Sequence, residues 1–279
     1  MLTETYFFYH RNMPASTTAY DSDIAPPAAL MADPTRAVML HALIEGRPLA
    51  AGELARLAGV TAATASSHLA KLLQGRLVTV VRQGRHRYYQ LAGYQVAAAL
   101  EALAHISPDI PVRTLRQSKE AEALAEARTC YDHLAGKAGV ALLDALLRHG
   151  TLREEKSSTS RTDSDDTNLD RPESAVAAPA VVPASAAYQV TDEGAATMAA
   201  FGINVAEIRR SRRHFAGACL DWTQRRSHLN GALGAAITTR LFDLGWIERG
   251  PRRRSVRVTE AGREGLTSTF GWTDTSDAA

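Results

Sequence analysis

Cysteine is scarce in this chain, with two among 279 residues, and the two stand in similar company. The first opens the run Cys130-Tyr131-Asp132-His133-Leu134-Ala135-Gly136. The second opens Cys219-Leu220-Asp221, followed after six residues by His228-Leu229-Asn230-Gly231. Each thiol has an Asp two positions on and a His nearby. Two thiolates and two imidazoles make a four-ligand set for zinc or another thiophilic divalent metal, provided the fold brings them together. A redox switch is the alternative chemistry: Arg128 and His133 flank Cys130, and positive charge beside a thiol lowers its pKa. In a third reading both cysteines are buried small hydrophobes, and the Asp and His residues cap helices or bridge the halves of a domain.

These residues sit inside a repeat. Gly136, Gly139, Ala141, Leu146 and Gly150 match Gly231, Gly234, Ala236, Leu241 and Gly245, each pair 95 positions apart. Further on, Val190, Thr191 and Gly194 match Val258, Thr259 and Gly262 at a separation of 68, so the first copy carries 27 extra residues. The excess falls within 151–187, which is rich in Ser, Thr, Asp, Ala and Pro and is expected to be a flexible insertion. In the second copy the same stretch is compact, running from Trp246 to Val258 as strand, basic turn and strand. Each copy therefore reads as helix, β-hairpin and a helix capped by Thr191 or Thr259. Asp192, Glu193 and Glu260 follow the caps, where a helix dipole favours negative charge. Residues 118–269 are read as a C-terminal sensory or regulatory domain of two winged-helix-like half-repeats. A pseudo-twofold between them is what would gather Cys130, His133, Cys219 and His228.

A second kind of chemistry belongs to residues 49–91. Leu57-Ala58-Gly59-Val60 reads as a tight turn between two helices, with Gly59 supplying the backbone freedom and Thr61 capping the second helix. Ala65, Leu69 and Leu72 recur at helical spacing and point inward. The opposite face is small and polar: Ala63, Thr64, Ser67 and Lys71, with Thr61 and His68 beside them. Such a face can lie in a major groove and touch bases and phosphates. Leu77–Val81 and Tyr88–Leu91 are β-prone, and the tip between them, residues 82–87, holds Arg82, Arg85 and Arg87. Three arginines on an exposed hairpin suit phosphate or minor-groove contact. Helix, turn, helix and basic wing together describe a winged helix-turn-helix that binds double-stranded DNA.

The residues here resemble those of ArsR/SmtB-type repressors. Ala32-Asp33-Pro34-Thr35-Arg36, Glu53-Leu54-Ala55, Ser67-His68-Leu69 and Gly84-Arg85-His86-Arg87-Tyr88-Tyr89 carry the likeness, which covers about residues 24–105. The resemblance implies a homodimer that leaves its operator on sensing a metal or another effector. It also implies that His68 packs under the recognition helix rather than reading a base, and that the helix over Gln95–Ile106 pairs with its counterpart in the dimer. The metal sites of that family are not matched. Residues 47–76 hold no cysteine, and Gln95–Ile106 offers only Glu101 and His105.

The expected fold is mainly α with small β-hairpin wings. A disordered arm over 1–23 precedes the winged helix-turn-helix domain at 24–106, and the C-terminal domain follows. Further helices are expected at Ala25–Met31, Thr35–Glu45 and Ser118–Arg128. Net charge is only +2, so clusters matter more than the sum. Arg209, Arg210, Arg212, Arg213, Arg225, Arg226 and Arg252 to Arg254 form a second basic population. It either extends DNA contact or holds an anionic effector, or else forms a solvated face. Trp222, Trp246 and Trp272 are expected in the core or as caps. No apolar run is long enough for a membrane helix, and the first residues lack the pattern of a secretion signal. Two cysteines make no disulfide framework, and a reducing cytoplasm is the inferred compartment. Glycine-rich phosphate loops, GxSxG and HExxH are missing, which argues against the common enzyme classes. A thiol-dependent enzyme using its helix-turn-helix for partner contact is the competing function.

Overall fold

Asp33 and Pro34 start the first long helix, one as its cap and the other as its first residue. The computed structural model describes residues 22–84, 86–108, 111, 113–155, 187–211 and 213–273. Most of the expected arm, residues 156–186 of the expected insertion, Arg85 and Arg212 lie outside that range. Helix α1 (Ala25–Met31) leads into α2 (Pro34–Leu43), where the Asp33 carboxylate accepts a hydrogen bond from the Arg36 backbone N–H at 2.9 Å. Proline at this position costs no hydrogen bond, because the N–H it lacks has no partner in a first turn.

Strand β1 (Leu49–Ala50) feeds α3 (Ala51–Leu57), and the turn at Gly59 delivers α4 (Ala62–Gln74). The wing follows as β2 (Val78–Gln83) and β3 (His86–Leu91). β1 pairs with β3 through Leu49 and Tyr89, giving an antiparallel sheet in the order β1-β3-β2. Sequence reasoning missed β1, since two residues carry no periodicity. It also drew the wing strands too short: they pair out to Gln83 and His86, because Gly84 at φ +60° lets a two-residue loop close them. Helix α5 (Tyr94–Ile106) completes this unit. Its core is Met39, Leu40, Leu43, Leu54, Leu69 and Leu72 with their neighbours, all fully buried.

Helix α6 (Leu115–Glu126) begins three residues before the expected Ser118, because Thr114 and Gln117 form a reciprocal capping box. It ends before Arg128, which belongs to the next strand. The chain continues through the hairpin β4 (Arg128–Cys130) and β5 (His133–Ala135), α7 (Gly136–Arg148), the hairpin β6 (Leu152–Glu154) and β7 (Tyr188–Val190), and α8 (Asp192–Ala200). After the short α9 (Val205–Arg209) the pattern recurs: β8 (Gly217–Leu220) and β9 (Ser227–Asn230), α10 (Gly231–Asp243), β10 (Ile247–Arg249) and β11 (Val256–Val258), then α11 (Glu260–Phe270). Thr191 and Thr259 cap α8 and α11, accepting from the N–H of Gly194 and Gly262 at 2.9 and 3.0 Å. The repeating unit is thus hairpin, helix, hairpin, helix. Its leading hairpin, with strands of three or four residues, escaped the sequence reading.

The two copies are interlocked. α7 packs against β9 and α10 packs against β5, so each helix lies on the hairpin of the other copy. Glycine permits the approach. A Cβ on Gly139 would stand 2.4 Å from the Leu134 carbonyl oxygen and 3.5 Å from the His228 Cβ. On Gly234 it would stand 2.6 Å from the Leu229 carbonyl oxygen and 3.3 Å from the His133 Cβ. Leu134, Leu146, Leu233, Leu241, Phe270 and Trp272 belong to one shared core. Among the described residues no helix is long and apolar enough to cross a membrane.

Candidate metal centre and nucleic-acid interface

The helix-turn-helix places its polar face in solvent. Thr61 accepts from the Thr64 backbone N–H at 3.2 Å, and Ala65, Leu69 and Leu72 are fully buried beneath. Thr61, Ala63, Thr64, Ser67 and Lys71 are exposed on the other side. His68 is not among them: its side chain is 17% exposed, with Nδ1 3.5 Å from the Asp33 carboxylate, so it packs beneath the helix. On the wing, Arg82 lies directly opposite Arg87, and neither meets an acidic side chain among the described residues. Like charges facing across a ladder repel, and an anion between them turns that cost into binding. Arg85, the third arginine of the wing, lies outside the described residues.

The four Cys and His residues are brought together by two hairpins. Cys130 is the direct cross-strand partner of His133, and Cys219 that of His228, so each pair shares one face of its hairpin. The unequal spacing in sequence comes from the loops: two residues separate Cys130 from His133, whereas the second hairpin holds six residues between Leu220 and Ser227. The two faces meet across the pseudo-twofold. The Sγ atoms of Cys130 and Cys219 are 3.9 Å apart, and the Nε2 atoms of His133 and His228 are 3.2 Å apart. One ligand atom from each of the four residues lies within 4.8 Å of all the others, and all four side chains are buried.

These spacings can be compared with what a metal requires. Zn–S bonds of about 2.3 Å and Zn–N bonds of about 2.0 Å give tetrahedral edges of about 3.8 Å between sulfurs and about 3.3 Å between nitrogens. The separations match both edges. Each imidazole also turns its Nδ1 to a carboxylate, His133 to Asp132 at 3.5 Å and His228 to Asp221 at 3.6 Å. That arrangement turns the Nε2 atoms inward, the orientation that outer carboxylates give to metal-bound histidines. At 3.2 Å the two Nε2 atoms can share one proton in a hydrogen bond, or both turn to one cation.

The redox alternative fares differently. Its premise is a thiol activated by Arg128 and His133: Arg128 turns away to Asp221, at 3.0 Å, while His133 stays beside Cys130 as its cross-strand partner and pulls its pKa down. The hydrogen bond with Cys219 and burial outweigh that pull and push the Cys130 thiol well above its ordinary range. A protonated, enclosed thiol is a poor nucleophile, so the same finding opposes the thiol-enzyme reading.

A ring of buried charge surrounds the four residues and joins them to the DNA-binding unit. Burial works against the Asp221 carboxylate, but Arg128, His228, the Thr223 hydroxyl and the Gly136 N–H together outweigh it and hold the group down to about 2. The same carboxylate accepts from the Gly136 N–H at 2.6 Å, capping the helix of the other copy. Arg128, fully buried, also stands 3.8 Å from Glu101 of α5. Glu101 in turn accepts from Arg254 at 2.6 Å, and Arg254 reaches His41 of α2 at 3.3 Å and the Thr129 carbonyl at 3.1 Å. Arg253 pairs with Glu45 and Arg252 with Glu120, while Arg213 grips Asp132 and Arg226 grips Asp144. Much of the second basic population is therefore neither a DNA surface nor a solvated face; it fastens elements of the protein together. Trp272 lies in the core, as expected, and Trp222 stacks under Arg128 with the guanidinium 5.0 Å from its ring.

An exposed recognition helix, a wing of opposed arginines and the small sheet joining them define a winged helix-turn-helix unit, the DNA-binding half of a transcriptional regulator. A helix-turn-helix domain family model matches residues 31–81. Over 241 residues the chain is 40% identical to YdfF, an uncharacterized HTH-type transcriptional regulator of Bacillus subtilis (strain 168), covering 86% of this chain and 94% of the relative. Two solved structures are similar to its N-terminal part. NolR from Sinorhizobium fredii is 33% identical over 29% of this chain and 81% of its own, with a TM-score of 0.28. The cadmium metal-sensor CMTR from Mycobacterium tuberculosis is 33% identical over 33% of this chain and 100% of its own, with a TM-score of 0.27. The chain belongs to the family of HTH-type transcriptional regulators that includes YdfF, and it is a DNA-binding regulator.

Proposed function

We propose that the protein is a homodimeric repressor that leaves its operator when a thiophilic divalent ion, Zn(II) or Cd(II), occupies Cys130, His133, Cys219 and His228. The observation that carries this reading is the gathering of four buried ligand atoms, two from each copy of the repeat, within 4.8 Å of one another, with S–S and N–N separations close to tetrahedral edges. Four protein ligands leave no open coordination position, which favours sensing or structure over catalysis. Charge points to a divalent ion. The surrounding carboxylates are already matched by Arg128, Arg213 and Arg254, so two thiolates and one divalent cation leave the buried site neutral. Leu103 and Ile106, exposed apolar residues of α5, favour a partner helix there.

In this reading Thr61, Ala63, Thr64, Ser67 and Lys71 face the major groove, and Arg82, Arg85 and Arg87 hold phosphates. Replacing Arg82 and Arg87 by Ala is expected to weaken operator binding and to reduce the slope of log affinity against log salt by about 1 per arginine. An unchanged slope removes the wing from the contact. The metal response is tested by fluorescence anisotropy of the full-length protein on DNA upstream of its own gene. Adding one equivalent of Zn(II) or Cd(II) is expected to weaken binding by about tenfold or more. Binding indifferent to metal overturns the sensing role and leaves the regulator.

A further inference from the structure

The regulation of this centre, if it holds metal as proposed, has a visible route. The DNA-binding unit does not merely adjoin the four residues; it touches the hairpins that carry them at three places. At the start of α5, the Tyr94 hydroxyl accepts a hydrogen bond from the Asn230 side chain, two residues after His228, and the Tyr94 ring lies 6.3 Å from that of His133. In the middle of α5, buried Glu101 faces Arg128, and Arg128 faces Asp221, the carboxylate beside His228. At the end of α2, a Cβ on Gly46 would stand 2.8 Å from the Tyr131 carbonyl oxygen, in the turn between Cys130 and His133. Tyr131 itself adopts φ +60°, a conformation that non-glycine residues seldom take. The turn is held from outside by the DNA-binding unit and from inside by two ligands.

We infer that α5 reads the occupancy of the centre through Tyr94 and Glu101. A bound ion ties the β4–β5 and β8–β9 hairpins to one another across the pseudo-twofold. The Asn230 amide and the Asp221–Arg128 pair then have fixed positions, and so do the α5 side chains that bond to them. Without the ion the hairpins stay interlocked through the exchanged helices and the Asp221–Gly136 bond, but their ligand-bearing faces meet only through thiol and imidazole contacts, and the seat of α5 is less firmly fixed. Because α5 packs on the wing strand β3 and carries the exposed Leu103 and Ile106, its seat sets how the recognition helix is presented. Tyr94 and Glu101 are positioning residues, not ligands.

Linkage supplies the test. If metal changes operator affinity by some factor, operator DNA must change metal affinity by the same factor. The full-length protein and its Tyr94→Phe and Glu101→Gln variants are titrated with Cd(II), followed by thiolate absorbance, with and without operator DNA. In the wild type the two factors agree and are about tenfold. In both variants the factor falls towards one; the Cd(II) affinity without DNA stays within about threefold of wild type in Glu101→Gln and falls further in Tyr94→Phe, whose hydroxyl also meets the Cys219 thiol. Glu101→Gln leaves Arg128 and Arg254 with a weaker partner, so Tyr94→Phe, which removes one hydroxyl, carries the decision if the other variant unfolds. A Tyr94→Phe protein with an undiminished factor overturns the inference, as does a wild-type factor of one. A wild type with no thiolate absorbance fails at the earlier step, the centre itself.

Discussion

Cys219→Ser is expected to leave a folded protein that no longer holds Cd(II). Serine is close to cysteine in size, and a hydroxyl can keep the contacts that the Cys219 thiol makes with Cys130 and the Tyr94 hydroxyl. What is lost is one of four ligands in a closed site. Removing an outer partner of a metal ligand already costs 10- to 100-fold in affinity, so loss of a ligand is expected to exceed about a hundredfold. The pseudo-twofold makes the prediction stronger: Cys130→Ser should match Cys219→Ser, because the two thiols occupy equivalent strands. Titration with Cd(II), read as thiolate absorbance, gives one equivalent bound by the wild type and none by either variant at the same concentrations. If the cysteines are only small core hydrophobes, wild type and variants will give the same flat titration.

Arg128→Ala is expected to be the most damaging change of a single charge. The side chain is fully buried, bonded to Asp221 at 3.0 Å, near Glu101 at 3.8 Å and stacked on Trp222. Its loss leaves two enclosed carboxylates to share Arg254 and the histidines. Breaking a buried pair from one side costs about 3–5 kcal/mol, because the remaining charge has no water to turn to. Urea unfolding of the metal-free protein should show that loss. Arg128→Lys should recover only part of it, since an ammonium offers neither the flat guanidinium face over Trp222 nor a second nitrogen for the Leu124 carbonyl and the Thr223 hydroxyl. Adding Asp221→Asn to Arg128→Ala should restore some stability by removing one unpaired charge. A fully stable Arg128→Ala protein would show that the ring of charge contributes nothing to the joint between the two units.

Much of this was legible before any coordinates. Helix α4 could be read because its cap, Thr61, and its inward residues, Ala65, Leu69 and Leu72, are all local signals. The four candidate ligands could be grouped because the repeat places Cys130 and Cys219 at matching points, even though their distances to His133 and His228 differ. The hairpins that pair them were not legible. Strands of three or four residues are too short to show a period, and the helices that lie on them, α7 on β9 and α10 on β5, come from the other copy. The ring of charge was hidden for another reason. Glu101 looked like a poor remnant of a metal site, and Arg252 to Arg254 looked like surface; only tertiary contact reveals that Arg254 spans Thr129, Glu101 and His41. Tyr94 gave no signal at all, being an ordinary aromatic at the head of a helix.

The exchange of helices between the two copies also bears on how the protein is made. Half of the ligand set lies on the hairpin that ends at Ala135 and half on the one that ends at Asn230. A growing chain that has emerged only through α8 holds one thiol and one imidazole, and its α7 has no hairpin to lie on. It therefore has neither the core nor the ligands to retain an ion. Domains fold as units during synthesis, and here the unit closes only when the second copy arrives. If the centre takes an ion as proposed, capture should thus follow translation rather than accompany it, and a truncated chain, stalled before β9, would bind none.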